Sequence, residues 1–216
     1  MLIISNAKPH RAAALDDAPI EIAEYNPRWV EAFQLERDVL GVALAPWLVG
    51  GPEHIGSTAV PGLAAKPIID IMAQVLSLED SRGAIAAAAG AGYVYFPYRA
   101  EAMHWFCKPS PSMRTHHLHL VPRGSRLWNE RLAFRDALRA DEALRAEYRD
   151  LKVALAARFR HDRDGYTDAK LLLSIEFSRA QGKAMHMRSN RSFDTDARMP
   201  PCASRPRLRA AGQLQR

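Results

Sequence analysis

The sequence predicts a mixed α/β (α+β) protein, with short strands before residue 123 and a helical C-terminal part. Three observations lead to that class. Residues 54–72 read as the end of a strand, a Gly-Ser turn, a short loop or helical turn, and a second strand. Residues 93–122 hold three β-rich segments split by turn signals. From Ser125 onward, apolar residues recur every three or four positions, the spacing of amphipathic helices.

The elements follow in order. Residues 1–18 are expected to be a flexible leader. Pro19 to Tyr25 alternates apolar and acidic residues and suits an edge strand. Asn26-Pro27 marks a helix start, and Trp29, Val30, Phe33, Arg37 and Leu40 keep helical spacing to about Ala45, before Pro46. Ser77 is placed to cap a helix over roughly 78–90, ended by Gly90 and Gly92. Tyr93 to Tyr98 and Met103 to Lys108 are expected as strands joined by a turn near Arg99. Thr115 to Pro122 forms a further strand after a break at Pro109 to Ser112. These strands are expected to be antiparallel. Two helices follow, the second capped by Asp141 and broken at Asp164-Gly165, and a third covers about 167–181.

Length and charge narrow the function classes. The 216 residues allow one domain with a core, plus a tail. The net charge is +6, but residues 182–216 hold eight basic residues against Asp194 and Asp196. Removing them from totals of 30 basic and 24 acidic residues leaves 22 of each, so the excess charge is confined to the tail. With Pro200, Pro201 and Pro206 and little apolar periodicity, that Arg-rich tail reads as disordered. It is a solvated extension or a weak electrostatic attachment to an acidic polymer such as nucleic acid. The domain proper is placed at 19–181. No apolar run approaches the ~20 residues that cross a bilayer, and no secretory signal is read, so a cytoplasmic protein without a membrane partner is expected. Cys107 and Cys202 are far apart, which suggests neither a disulfide framework nor a zinc knuckle.

The chemistry-bearing residues gather around the Gly-Ser turn. Gly56 permits a tight bend, and Ser57 and Thr58 offer hydroxyls and amides that suit a phosphate. In the strand that follows, Ile68, Asp70 and Met72 share one face and Ile69, Ile71 and Ala73 the other. A carboxylate among aliphatic side chains needs a partner, a metal or a cleft. His117 and His119 share a face of the later strand and form a candidate chelating or phosphate-binding pair; His54 adds a third imidazole. Imidazole with carboxylate suits zinc, manganese or iron better than magnesium alone. Lys66 is positioned to reach a phosphate. Tyr166 and Lys170 lie four apart on the last helix, with Lys152 on the helix before. Facing the turn, these three form a triphosphate clamp; facing water, they are ordinary surface. Arg114 and His104 are weaker candidates, and Arg135-Asp136 is read equally as an internal ion pair or a site. P-loop, dinucleotide-binding, His-Glu-x-x-His and Gly-x-Ser-x-Gly motifs are absent.

The run from His54 to Ile71, the segment His116-His-Leu-His-Leu-Val, Phe134-Arg-Asp-Ala-Leu-Arg and the Tyr166 to Lys170 helix together resemble the GrpB family over about residues 20–180. The resemblance implies the nucleotidyltransferase superfamily with its DNA polymerase beta-like fold, a mixed sheet flanked by helices. A similar domain occurs fused behind dephospho-CoA kinase in some bacteria. In that superfamily a Gly-Ser turn holds nucleotide phosphates, an Asp-x-Asp strand binds divalent metals, and a third acid completes the set. Gly56 and Ser57 match the turn and Asp70 the second acid, but Ile68 stands where the first acid belongs. Losing one carboxylate leaves a two-metal site short of charge and ligands.

The expectation is therefore a nucleotidyltransferase-fold protein binding a nucleotide or other phosphate-bearing small molecule at Gly56, Ser57, Thr58 and Lys66, with Tyr166 and Lys170. A divalent metal, Mg²⁺ or Mn²⁺ with Zn²⁺ as a further option, is expected on Asp70, His117, His119 and His54. Asp70 and His119 are the catalytic candidates for nucleotidyl transfer to a small acceptor. The alternative is a non-catalytic nucleotide- or phosphate-binding regulatory module, and a metal-dependent hydrolase built on the histidines ranks third.

Overall fold

The structure is a computed structural model, and its description covers residues 19–162, 165–167 and 169. The leader, the tail, Lys170 and most of the expected third helix lie outside these residues.

Helix α1 spans Arg28–Ala43. Asn26 caps it through its side chain, whose Oδ1 accepts from the Arg28 amide at 3.0 Å. Its inward positions, Trp29, Phe33 and Leu40, pack on the main core. Buried Glu36 would be costly there unpaired, and Lys108 Nζ meets its two oxygens at 2.9 and 3.1 Å.

Strand β1 (Glu53–Ile55) leads through Gly56 into a 3-10 turn at Ser57–Ala59, and β2 covers Ile69–Val75. Helix α2 (Gly83–Gly90) precedes the short β3 (Val94–Phe96), β4 (His104–Pro109) and β5 (Arg114–Pro122). Two long helices follow, α3 (Arg126–Ala140) and α4 (Glu142–Arg158). Ser125 caps the first by accepting from the Trp128 amide at 3.3 Å, and Asp141 the second from Leu144 at 3.0 Å.

The five strands form one sheet in the order β1-β2-β5-β4-β3. Hairpins make β3, β4 and β5 antiparallel, and β1 runs antiparallel to β2. The central pair is parallel, with Asp70 opposite His117 and Met72 opposite His119. The sheet is thus mixed, and the chain returns beside β2 only after passing through α2 and two strands. The segment at 19–25 is not a full strand: it contributes a single antiparallel bridge between Ala23 and Ala65.

Alternation divides the side chains between two faces. Ile69, Ile71, Ala73, Phe106, Leu118 and Leu120 pack with α1 and α2 in the main core. On the opposite face Ile55, Met72, Met103 and Val121 pack against Leu127, Trp128 and Leu132 of α3. Full burial of each such aliphatic side chain contributes roughly 1.5–3 kcal/mol. Further along, α3 and α4 clamp the loop after the 3-10 turn, with Leu138, Leu144 and Tyr148 against Val60 and Leu63. No helix among the described residues is long and apolar enough to cross a membrane.

Candidate functional site

The site lies on the α3 face of the sheet, where β2 and β5 run side by side. Their parallel register sets Asp70 beside His117, and His117 Nδ1 donates to Asp70 Oδ1 at 2.9 Å. His119 Nε2 lies 4.0 Å from the same oxygen. One ligand atom from each of the three residues lies within 4.8 Å of the others. All three side chains are partly buried, between 15 and 24% exposed, so the cluster keeps some access to solvent.

Hydrogen bonding orients the two imidazoles. With Nδ1–H of His117 given to Asp70, its Nε2 is left buried with no hydrogen-bond partner. A buried polar atom of this kind is costly unless a ligand covers it. Trp105 packs against the His117 ring with centroids 5.1 Å apart and planes tilted by 50°, and Arg114 lies over Trp105 at 5.5 Å. His119 Nδ1 contacts Met103 Sδ at 3.4 Å. Burial pushes the His119 imidazole below its ordinary pKa, while the hydrogen bond and charge of Asp70 draw it up. A neutral imidazole is the form that ligates metals.

The Gly-Ser turn lies against this cluster. Gly56 has φ +72°, and a Cβ there would stand 3.0 Å from Asp70 Cβ and closer still to its carboxylate oxygen. Only glycine permits that approach. Ser57 is partly exposed at the start of the 3-10 turn. One carboxylate and two imidazoles form a donor set of the kind that suits Mn²⁺, Fe²⁺ or Zn²⁺ more than Mg²⁺. Asp70, His117 and His119 are the residues that would hold such an ion.

Other candidates lie elsewhere. His54 pairs in register with Ile71, which places it on the opposite face from Asp70, stacked on Phe33 at 4.6 Å. It is not in the ligand cluster; burial lowers its pKa to about 4, against the pull of Asp70. Thr58 is buried, and its Oγ1 donates to the Ile68 carbonyl at 3.1 Å, so its hydroxyl is turned inward. Its single proton thus spent, Thr58 Oγ1 accepts from His54 Nε2–H at 3.0 Å. Tyr166 is buried with Ile20, Leu155 and Ala156, and Lys66 Nζ lies 4.9 Å over its ring. Lys152 is buried and donates to the Ala64 carbonyl. The triphosphate clamp on Tyr166 and Lys152 therefore does not form: both side chains are packed inside. His104 faces the main core side, with Nε2 at 3.0 Å from the Leu78 carbonyl. Arg135 does pair with Asp136, at 2.8 Å, and also with Glu53 at 2.8 Å.

Met103 and Trp105 border the site without having been singled out in the sequence. Their two-residue spacing, with Met103 just before β4 and Trp105 within it, is a signal, but it reaches the histidines only through the register of β4 on β5, which sets Trp105 opposite His119.

A mixed α/β domain with a five-stranded sheet flanked by helices, carrying an Asp-His-His cluster beside a glycine turn, is the class these features define. The GrpB protein family model matches residues 19–176, and the chain belongs to that family. It is 39% identical over 160 residues to a UPF0157 protein of Pseudomonas aeruginosa, covering 72% of this chain and 64% of the relative. The glutamate-rich protein GrpB of Alkalihalophilus pseudofirmus is 32% identical over 154 residues, covering 69% of this chain and 88% of that one. The UPF0157 protein YqkA of Bacillus subtilis is 34% identical, with 44% of its length spanned, so this chain covers less than two thirds of some relatives. Among solved structures, the conserved protein GrpB from Enterococcus faecalis matches with TM-score 0.68 and 32% identity, over 76% of this chain and 99% of that one.

Proposed function

We infer that this chain is a cytoplasmic protein that binds a nucleotide or related phosphate-bearing small molecule on the Asp70 face, with a divalent metal, and transfers a nucleotidyl group to a small acceptor. One observation carries the reading: the metal-type cluster of Asp70, His117 and His119 sits directly against the Gly56–Ser57 turn. A turn whose backbone amides and Ser57 hydroxyl face a ligand favours a phosphate. Bound at the cluster, the metal would supply charge neutralisation for the phosphates. Asp70 fixes the His117 ring through its hydrogen bond, and Trp105 packs beside that ring. In the transfer, the acceptor oxygen bonds to the α-phosphorus, the bond from that phosphorus to the bridging oxygen breaks, and pyrophosphate leaves. The acceptor's proton passes to solvent; His119, its lone pair held by the ion, would position the metal rather than take the proton.

Ile68 supports a second reading. With an aliphatic side chain where the superfamily's first acid would stand, the domain binds the nucleotide without turning it over, as a regulatory module. The test is incubation of the full chain with nucleoside triphosphates and Mn²⁺, measuring both binding and pyrophosphate release. Release abolished by Asp70→Asn supports transfer. Binding without release supports the module, and neither binding nor release defeats both.

A further inference from the structure

A cavity of about 550 Å³ lies at the outer edge of β1, bounded by α1, α3 and the start of α4. Four arginines line it, Arg37, Arg135, Arg139 and Arg145, against one acid, Glu53. Its remaining wall is largely apolar, with Val30, Phe33, Pro52 and Pro61. His54 reaches it from the face of the sheet opposite Asp70.

Three acids, Asp38, Glu53 and Asp136, pair with these four arginines and leave one positive charge uncompensated. Arg37 pairs with Asp38 at 2.9 Å, and Arg135 with both Glu53 and Asp136 at 2.8 Å. Arg139 instead spends Nε and Nη2 on the Ala59 carbonyl, at 3.0 and 2.8 Å, with Asp136 3.6 Å from Nη1. Arg145 donates to the Leu138 carbonyl at 3.1 Å, and among the described residues it has no ion pair. Carbonyls satisfy donors but do not neutralise a cation. Burial, and then the charge of Arg135, pull the Arg139 guanidinium below its ordinary pKa. Like charges four residues apart on one helix repel, and an anion between them removes that cost.

We propose that this arginine-lined cavity is a second anion site, taking a phosphorylated small molecule with an apolar or planar portion. Several guanidinium forks recognise phosphate oxygens in a way that one cation cannot. The volume lies within the usual range for small-molecule pockets, and the apolar wall has room for more than an inorganic ion. The same arginines also brace the other site. Arg135 donates to the His54 carbonyl at 3.0 Å and Arg139 to that of Ala59, so the two bracket the Gly56–Ser57 turn in sequence. An occupant of this cavity is therefore in contact with the residues that hold the phosphate turn in place.

The test is calorimetric titration of the full chain with phenyl phosphate in the presence of EDTA, which separates it from any metal-dependent binding at Asp70. Saturable binding is expected, tighter than that of inorganic phosphate. The double variant Arg37→Gln/Arg145→Gln should weaken it at least tenfold, with circular dichroism confirming the fold, while Asp70→Asn leaves it unchanged. Absence of saturable binding overturns the proposal. So does binding lost in Asp70→Asn but kept in the double variant, or binding of a single-stranded oligonucleotide without binding of phenyl phosphate.

Discussion

His117 Nδ1 donates to Asp70 Oδ1 at 2.9 Å across the parallel pair of β2 and β5. The two residues are 47 positions apart, and the contact exists because a parallel register sets them directly opposite. Everything at the candidate site depends on this pairing.

Metal binding follows first from it. Mn²⁺ at a hundredfold excess over its dissociation constant should stabilise the native chain by about 2.7 kcal/mol. A thermal-shift series should show this rise in wild type and lose it in Asp70→Asn and in His119→Ala. His54→Gln, altered on the other face, should keep it.

Gly56→Ala should damage both stability and the site. The φ of +72° is unfavourable for alanine, and the new Cβ would collide with Asp70. The backbone conformation alone, φ 72° with ψ −172°, is essentially restricted to glycine and costs alanine about 1–3 kcal/mol, and the clash adds to it. Urea unfolding should show the loss, and Mn²⁺ should stabilise the variant less than wild type because the carboxylate is displaced.

Thr58→Val preserves shape but strands two partners, the Ile68 carbonyl and the His54 Nε2–H. The expected loss is about 1–3 kcal/mol. Thr58→Ser should recover most of it in the same unfolding assay. Since the Thr58 hydroxyl points inward, phosphate-ligand affinity measured well below the melting temperature should stay within about twofold of wild type.

His54 gives a pH dependence with a definite sign. Burial lowers its pKa from 6.5 to about 4. Above pH 6.5 the ring is neutral in folded and unfolded chains alike. Between pH 6.5 and about 4 the unfolded chain takes up a proton that the folded chain does not, so stability falls as the pH falls. Over that window the loss from this one residue approaches about 3 kcal/mol. Denaturant unfolding at pH 7.5 and 4.5 should show a smaller drop for His54→Gln than for wild type; an equal drop would assign the effect to other groups.

Much of the domain was legible from local signals. Asn26, Ser125 and Asp141 are short polar side chains that accept from exposed helix amides, and each marks a helix start in the structure. Alternation around Asp70 placed Ile69, Ile71 and Ala73 in the main core, as period-two patterning requires. The segment at 19–25 also alternates, yet forms only one bridge, because alternation describes a half-buried segment and does not supply a neighbour to pair with.

The sites divide along the same line. The sequence by itself determined the Gly-Ser turn, the face of Asp70 and the shared face of His117 and His119, because each follows from a bend or a two-residue period within one segment. Only the tertiary structure decided that Asp70 meets the histidines, that His54 lies across the sheet, and that Tyr166 and Lys152 are packed inside. Those outcomes depend on strand order, parallel register and helix docking. They are set by contacts between segments far apart in the chain, for which a single sequence carries no local pattern.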